Sequence, residues 1–278
     1  MSRALKSAFF RFFRTGLWIK IMIFSVVLGL FVIFQTCSSD LMLYMFKRPR
    51  FLSNSFVMTC ILKLVYIMPF ATAIFSAMFT GNDISFRTIN NKISTGISRV
   101  YIYLADLIVT VLSSLFSLFI MTGIFFLFAK FVPVKSDVRI SSFLFGIFSQ
   151  VLVISLAFAS LYTLLQFFLS TKLLALIVSL LMIPCLMFGT IFIQSQLDEP
   201  YRYSYVDEET GEVAWKENPD YVGGTARKIF TFISETSPYS YEFIVNENSF
   251  PQEAIAAGTI FALSSAAGLI AIGKKEYQ

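Results

Sequence analysis

Six apolar runs, each long enough to cross a bilayer as a helix, occupy most of this chain, near residues 17–36, 56–80, 103–129, 140–168, 171–194 and 253–272. About 20 apolar residues span the roughly 30 Å hydrocarbon core. Backbone groups surrounded by lipid must be satisfied within their own segment, so helix is the conformer these runs dictate. A β-barrel would need strands of alternating polarity. Stretches such as Ile21–Phe34 and Leu173–Leu186 are apolar all round. With 56% hydrophobic and 14% charged residues in 278, the expectation is one all-α polytopic membrane domain over 1–278.

The first run follows a basic lead of Arg3, Lys6, Arg11 and Arg14. It exceeds the length of a signal-peptide core, and no small-x-small cleavage site follows it, so it reads as an uncleaved span. Residues 3–15 interleave those cations with Leu5, Phe9, Phe10, Phe12 and Phe13. A helix of that pattern lies in the membrane interface, with rings in the acyl boundary and cations among headgroups.

Six spans put both termini on one side. With that side inward, the inner segments carry eleven Lys and Arg: Arg3, Lys6, Arg11, Arg14, Lys20, Arg87, Lys92, Arg99, Lys172, Lys274 and Lys275. The outer segments carry ten over a much longer stretch. The density favours cytoplasmic termini. The segment 196–252 then faces outward and holds eleven of the seventeen acidic residues. It alternates aromatic and polar residues over Tyr201–Val206 and again over Val213–Lys216, around an Asp207–Gly211 turn, which is a hairpin signal. Residues 225–235 read as a short amphipathic helix ending before Pro238.

Catalytic equipment is sparse. There is no histidine, which removes the commonest general base and metal ligand. Cys37, Cys60 and Cys185 show no metal-type spacing. Cys37 and Cys60 fall near the outer face in this topology, which leaves a disulfide open. No phosphate-binding glycine loop is present, since Gly273-Lys274-Lys275 lacks the rest of the pattern. A catalytic role, a metal site and a resident cofactor are therefore not expected. The net charge of +5 belongs to loops facing anionic lipid rather than to nucleic-acid binding.

The ionisable residues within spans are chiefly Lys63 and Asp106. Lys63 either snorkels to the outer headgroups or lines a polar pathway. Asp106, one turn inside span three, is placed to face the loop carrying Arg87 and Arg99 and to pin it to the bundle. Pro69 and Pro184 fall inside spans and are possible hinges.

The link at 81–102 is the most informative segment. Gly81-Asn82-Asp83 reads as a helix stop followed by a restart capped by Asp83. Phe86, Ile89, Ile93 and Ile97 recur at helical spacing, with Arg87, Asn90, Asn91 and Lys92 on other faces. Gly96 breaks the segment before Arg99. The expectation is a short cytoplasmic amphipathic helix whose exposed apolar ridge asks for a partner.

Within residues 79–108, the blocks Arg87-Thr88-Ile89-Asn90-Asn91-Lys92 and Gly96-Ile97-Ser98-Arg99, followed by a Tyr-rich entry to span three, carry a family likeness. This stretch resembles the cytoplasmic loop of bacterial type 2 ABC exporter permeases, especially those of peptide and bacteriocin exporters. Phe86 departs from the pattern, standing where a small residue is usual. The likeness covers about thirty residues in sequence and the whole chain in layout.

The resemblance implies a permease subunit with a coupling helix between spans two and three. It implies two cytoplasmic ABC ATPase subunits holding ATP and Mg, a second permease chain, identical or homologous, and an amphipathic, peptide-type cargo. In such exporters the first and fifth spans usually face across the dimer. The ATPase-coupling residues would be Phe86, Arg87, Ile89, Asn91, Lys92, Ile93, Ile97 and Arg99. The alternative is a non-transporting membrane immunity or sensor protein. A membrane enzyme would need convergent acids or bases, which the spans lack.

Overall fold

The computed structural model describes residues 1–46, 54–86, 88–129, 140–169, 171–206, 213–237, 239 and 250–274. In chain order the helices are α1 (Ser2–Arg14), α2 (Leu17–Phe46), α3 (Asn54–Ser85), α4 (Thr88–Ser94), α5 (Arg99–Ala129), α6 (Ile140–Phe168) and α7 (Lys172–Asp198). Strands β1 (Arg202–Val206) and β2 (Val213–Glu217), then α8 (Gly224–Thr236) and α9 (Phe250–Lys274), follow among the described residues. Six of these helices, α2, α3, α5, α6, α7 and α9, are long and apolar enough to cross a membrane. The protein is an all-α membrane protein with a small amount of sheet. Pro69 and Pro184 sit inside continuous helices.

The chain divides into two compact units, Met1–Ile183 with Ala254–Gln278, and Pro184–Glu253. In the first, α3 and α6 form the centre: 67% and 61% of their apolar windows are buried, against 17% for α9 at the rim. Without a hydrophobic driving force between helices in lipid, small residues and shared hydroxyl hydrogen bonds hold such a bundle. Ser25 of α2 bonds Ser117 of α5 at 2.6 Å, Thr72 of α3 bonds Ser114 of α5 at 3.0 Å, and Ser160 of α6 bonds Ser264 of α9 at 2.7 Å. Gly268 lets α9 close on α5, since a Cβ there would meet the Tyr103 hydroxyl at 2.1 Å.

The amphipathic α1 buries Ala4, Ala8 and Phe12 in a cluster with Phe75, Phe79, Ala105 and Val109. Its Phe10 and Phe13 remain exposed on the opposite side. Gly16, at φ +64°, makes the turn into α2, and its carbonyl accepts the first amides of that helix, from Ile19 and Lys20.

In the second unit, β1 and β2 pair antiparallel with Arg202 opposite Glu217 and Val206 opposite Val213. The hairpin expected from the aromatic alternation is present; its turn lies outside the described residues. The expected 225–235 helix is α8. Arg227 of α8 donates to the Leu197 carbonyl at 2.9 Å, and Thr190 and Ser237 share a hydrogen bond of 2.6 Å. Cys37, Cys60 and Cys185 form no disulfide with one another.

One local expectation is corrected. Gly81-Asn82-Asp83 does not end the second span; α3 runs through it to Ser85. Gly81 serves packing instead, because a Cβ there would come within 2.8 Å of Gln166 Oε1 and 2.9 Å of Lys172 Cγ.

Candidate functional site

Four charged side chains from four elements meet at one end of the first unit. Asp83 occupies the last turn of α3, Asp106 the first part of α5, Lys92 the short α4, and Arg11 the amphipathic α1. Arg11 Nη1 pairs with Asp83 Oδ1, and Arg11 Nη2 donates to Asp106 Oδ1 at 3.2 Å. Lys92 Nζ donates to Asp83 Oδ2 at 2.5 Å and stands 4.0 Å from Asp106 Oδ1. Thr88 adds a hydroxyl hydrogen bond of 2.7 Å to Asp83 Oδ1. The Arg11 guanidinium also lies 3.9 Å from the centre of the Phe79 ring.

The cluster is buried and balanced. The side chains of Asp106 and Asp83 are 0% and 3% exposed, those of Lys92 and Arg11 15% and 21%. Two cations face two carboxylates, so each buried charge has an opposite partner, as the cost of desolvation demands. Burial holds the Lys92 ammonium below its ordinary range, with Arg11 adding to the shift and Asp106 opposing it. Burial likewise lowers the Arg11 guanidinium, again against the pull of Asp106.

The backbone of α4 explains how Lys92 reaches this point. The helix is only seven residues long and closes with Gly96 at φ +82°. The Gly96 amide donates to Ile93 O at 2.9 Å and the Ile97 amide to Lys92 O at 3.1 Å. That pair of bonds is the Schellman closure, which requires the left-handed residue glycine supplies. Ile97, the residue after the glycine, packs back on the apolar core.

Among the described residues, Asp106 pairs with Arg11 of α1 and, at 4.0 Å, with Lys92 of the loop. Arg87 lies outside the described residues, and Arg99 donates to the Gly273 carbonyl at 3.4 Å, tying the start of α5 to the end of α9. Lys172 at the start of α7 donates to Asn82 Oδ1 at 2.7 Å. The amphipathic helix, the α3–α5 link, the α6–α7 link and the end of α9 therefore gather at one end of the bundle.

The apolar ridge is also corrected. Ile89 is 1% exposed, packed with Ile102, Tyr103, Leu107, Phe167 and Ile272 of the same chain. Ile93 and Ile97 are half-buried against that cluster. The ridge thus meets the protein's own bundle, and only Phe86 is strongly exposed, at 74%. The outward surface of this segment carries Phe86, Asn91, Ser94 and Thr95.

At the other end, the Lys63 ammonium donates to Thr36 Oγ1 of α2 at 3.1 Å. Cys60 donates its thiol to the same oxygen at 3.7 Å. Lys63 and Asp83 are twenty residues apart on α3, about 30 Å of helix. That matches the thickness of a hydrocarbon core.

Reasoning from sequence missed Arg11 and Asp83 as members of the site. Arg11 had a signal, since it interrupts the buried stripe Ala4, Ala8, Phe12. Asp83 and Asp106 are the only acidic residues between positions 41 and 136, which also marked them as a pair. No protein-family model matches the chain, and no curated protein matches it significantly.

Proposed function

We propose that this chain is the membrane-spanning permease subunit of a type 2 ABC exporter. It moves an amphipathic, peptide-type substrate across the cytoplasmic membrane, and separate ATPase subunits supply the energy from ATP and Mg. It works beside a second permease chain, with both termini and α4 on the cytoplasmic side. One observation carries this reading: Lys92 of α4 pairs with buried carboxylates of α3 and α5, and Arg11 of α1 pairs with the same two carboxylates. A seven-residue helix held that firmly has no slack of its own. A push on its outer surface is passed to the ends of two spans and to the amphipathic helix, which is what a permease without an ATP site requires. The resemblance of residues 79–108 to exporter coupling loops agrees with that role.

The inward turn of Ile89 divides the coupling residues into two sets. Lys92, Ile89, Ile93 and Ile97 hold α4 to the bundle; Phe86 and Asn91 lie on the surface that meets the ATPase. Cysteines at Phe86 and Asn91 provide the test, by crosslinking in membranes of the native cell and identifying the captured chain by mass spectrometry. Capture of a subunit with a nucleotide-binding glycine loop, lost with Phe86→Asp, is the expected result. Labelling of the same cysteines by an impermeant reagent added outside intact cells would overturn the assignment.

A further inference from the structure

We propose that a cleft between α2 and α3 is an acyl-chain site for an anionic membrane lipid. The cleft has a volume of about 160 Å³ and lies in the first unit. Ile21 and Phe24 of α2 face Ala71, Ile74 and Met78 of α3 across it. The α3 wall from Ala71 to Met78 runs about 10 Å along the helix, the reach of an extended hydrocarbon tail rather than of a compact solute.

The lining is apolar except at two points. Ser117 is one, but its hydroxyl is already occupied by Ser25 at 2.6 Å, so it offers a ligand little. Lys20 is the other. It is exposed and has no acidic partner among the described residues. It lies one turn from the start of α2, at the end of the bundle where Arg14 and the rest of α1 gather. Trp18, half-buried on the neighbouring core cluster, has the ring type that favours the headgroup level.

An apolar slot with a single unpaired cation at its mouth is the complement of an anionic head joined to a hydrocarbon tail. A zwitterionic lipid fits the slot but brings no net charge to Lys20. A peptide cargo would leave backbone groups unsatisfied along the apolar walls. The inference rests on the cleft alone and is independent of the exporter reading.

The test uses the full chain in nanodiscs containing phosphatidylglycerol or phosphatidylcholine, each carrying the same photoactivatable acyl chain, with adducts mapped by peptide mass spectrometry. Adducts are expected on residues 17–24 and 71–78, with phosphatidylglycerol favoured about fivefold, the factor one lysine near the surface contributes. Lys20→Ser should bring the ratio towards one, and Lys20→Arg should keep it. Met78→Trp, which fills the cleft, should lower labelling by both lipids. Equal labelling by the two lipids would refute the proposal. So would adducts confined to exposed faces such as that of α9, or a cleft closed to lipid by a second copy of the chain.

Discussion

Replacing Asp83 by Asn removes one charge from a buried set of four and changes its balance from zero to +1. The carboxylate pairs with Arg11 and accepts from Lys92 at 2.5 Å and from Thr88 at 2.7 Å, so its loss touches both cations at once. Removing one side of a buried pair costs about 3–5 kcal/mol, because the remaining charge is left uncompensated. The two cations retain 15% and 21% exposure, and residual solvation places the cost at the lower end, about 3 kcal/mol. At about 2–4 °C per kcal/mol for larger chains, the apparent melting temperature should fall by roughly 6–12 °C. Thiol-reactive dye unfolding assays suit the measurement in a Cys37→Ser, Cys185→Ser background, because the remaining Cys60 is fully buried. The double variant Asp83→Asn with Lys92→Met restores neutrality and should lose less than the sum of the single variants, with a coupling of about 0.5–3 kcal/mol. Hydrogen exchange should accelerate in α4 and α1 before the centre of α3. If Asp83→Asn melts with the wild type, or if the two substitutions simply add, the charges are not acting as a set.

Three further outcomes follow from the same geometry. Gly268→Ala places a Cβ against the Tyr103 ring, where hydroxyl and ring carbons lie within 2.1–2.5 Å; it should cost about 1–3 kcal/mol in the same melting assay, and Tyr103→Phe should not rescue it. Gly96→Ala forces a left-handed conformation on a residue with a Cβ and should cost about 1–2 kcal/mol, read as faster exchange of the α4 amides, with Gly96→Asn milder. The Lys92 ammonium should titrate below the ordinary lysine value of 10.5, seen by carbon NMR of the methylated amine. Because the folded protein gives up that proton sooner than the unfolded chain, its contribution to stability rises with pH between the folded value and 10.5. Lys92→Met should remove that slope.

The spans were legible because lipid leaves helix as the only conformer for long apolar runs, and their cores coincide with α2, α3, α5, α6, α7 and α9. Their ends were less so. Gly81 and Asp83 carry the residue types of a helix stop and a cap, yet α3 absorbs both, one for close approach to Gln166 and Lys172 and the other for ion pairing. Local chemistry fits both uses, and only tertiary neighbours choose between them. The hairpin was readable because strand alternation is local. The charge cluster was read from sequence only at Asp106, since the bond from Arg11 to it joins residues 95 positions apart and the signals at Arg11 and Asp83 do not name their partners. Helical spacing correctly placed Ile89, Ile93 and Ile97 on one face, but periodicity carries no information about whether that face meets another protein or the chain's own α5, α6 and α9.

That inversion changes what the short helix can do. An exposed apolar ridge would make α4 a sticky surface, loosely held to its own chain and firmly to a partner. A buried ridge with a buried ion pair makes it a fixed part of the bundle that shows the outside one phenylalanine and several small polar groups. Buried ion pairs are weak sources of stability relative to well-packed apolar residues of the same volume. Their stronger effect here is positional. With Arg11 touching both carboxylates and Lys92 touching Asp83, α4 cannot rotate by a residue, which turns its side chains by about 100°, without stranding Lys92. Replacing Arg11, Lys92, Asp83 and Asp106 together by apolar or amide residues of similar size should therefore leave the protein folded, and in a melting assay about as stable. It should also let α4 adopt more than one orientation, visible as multiple distances from a spin label at Asn91 to one on α5. A single sharp distance in the uncharged variant would mean that the apolar contacts of Ile89 alone set the register.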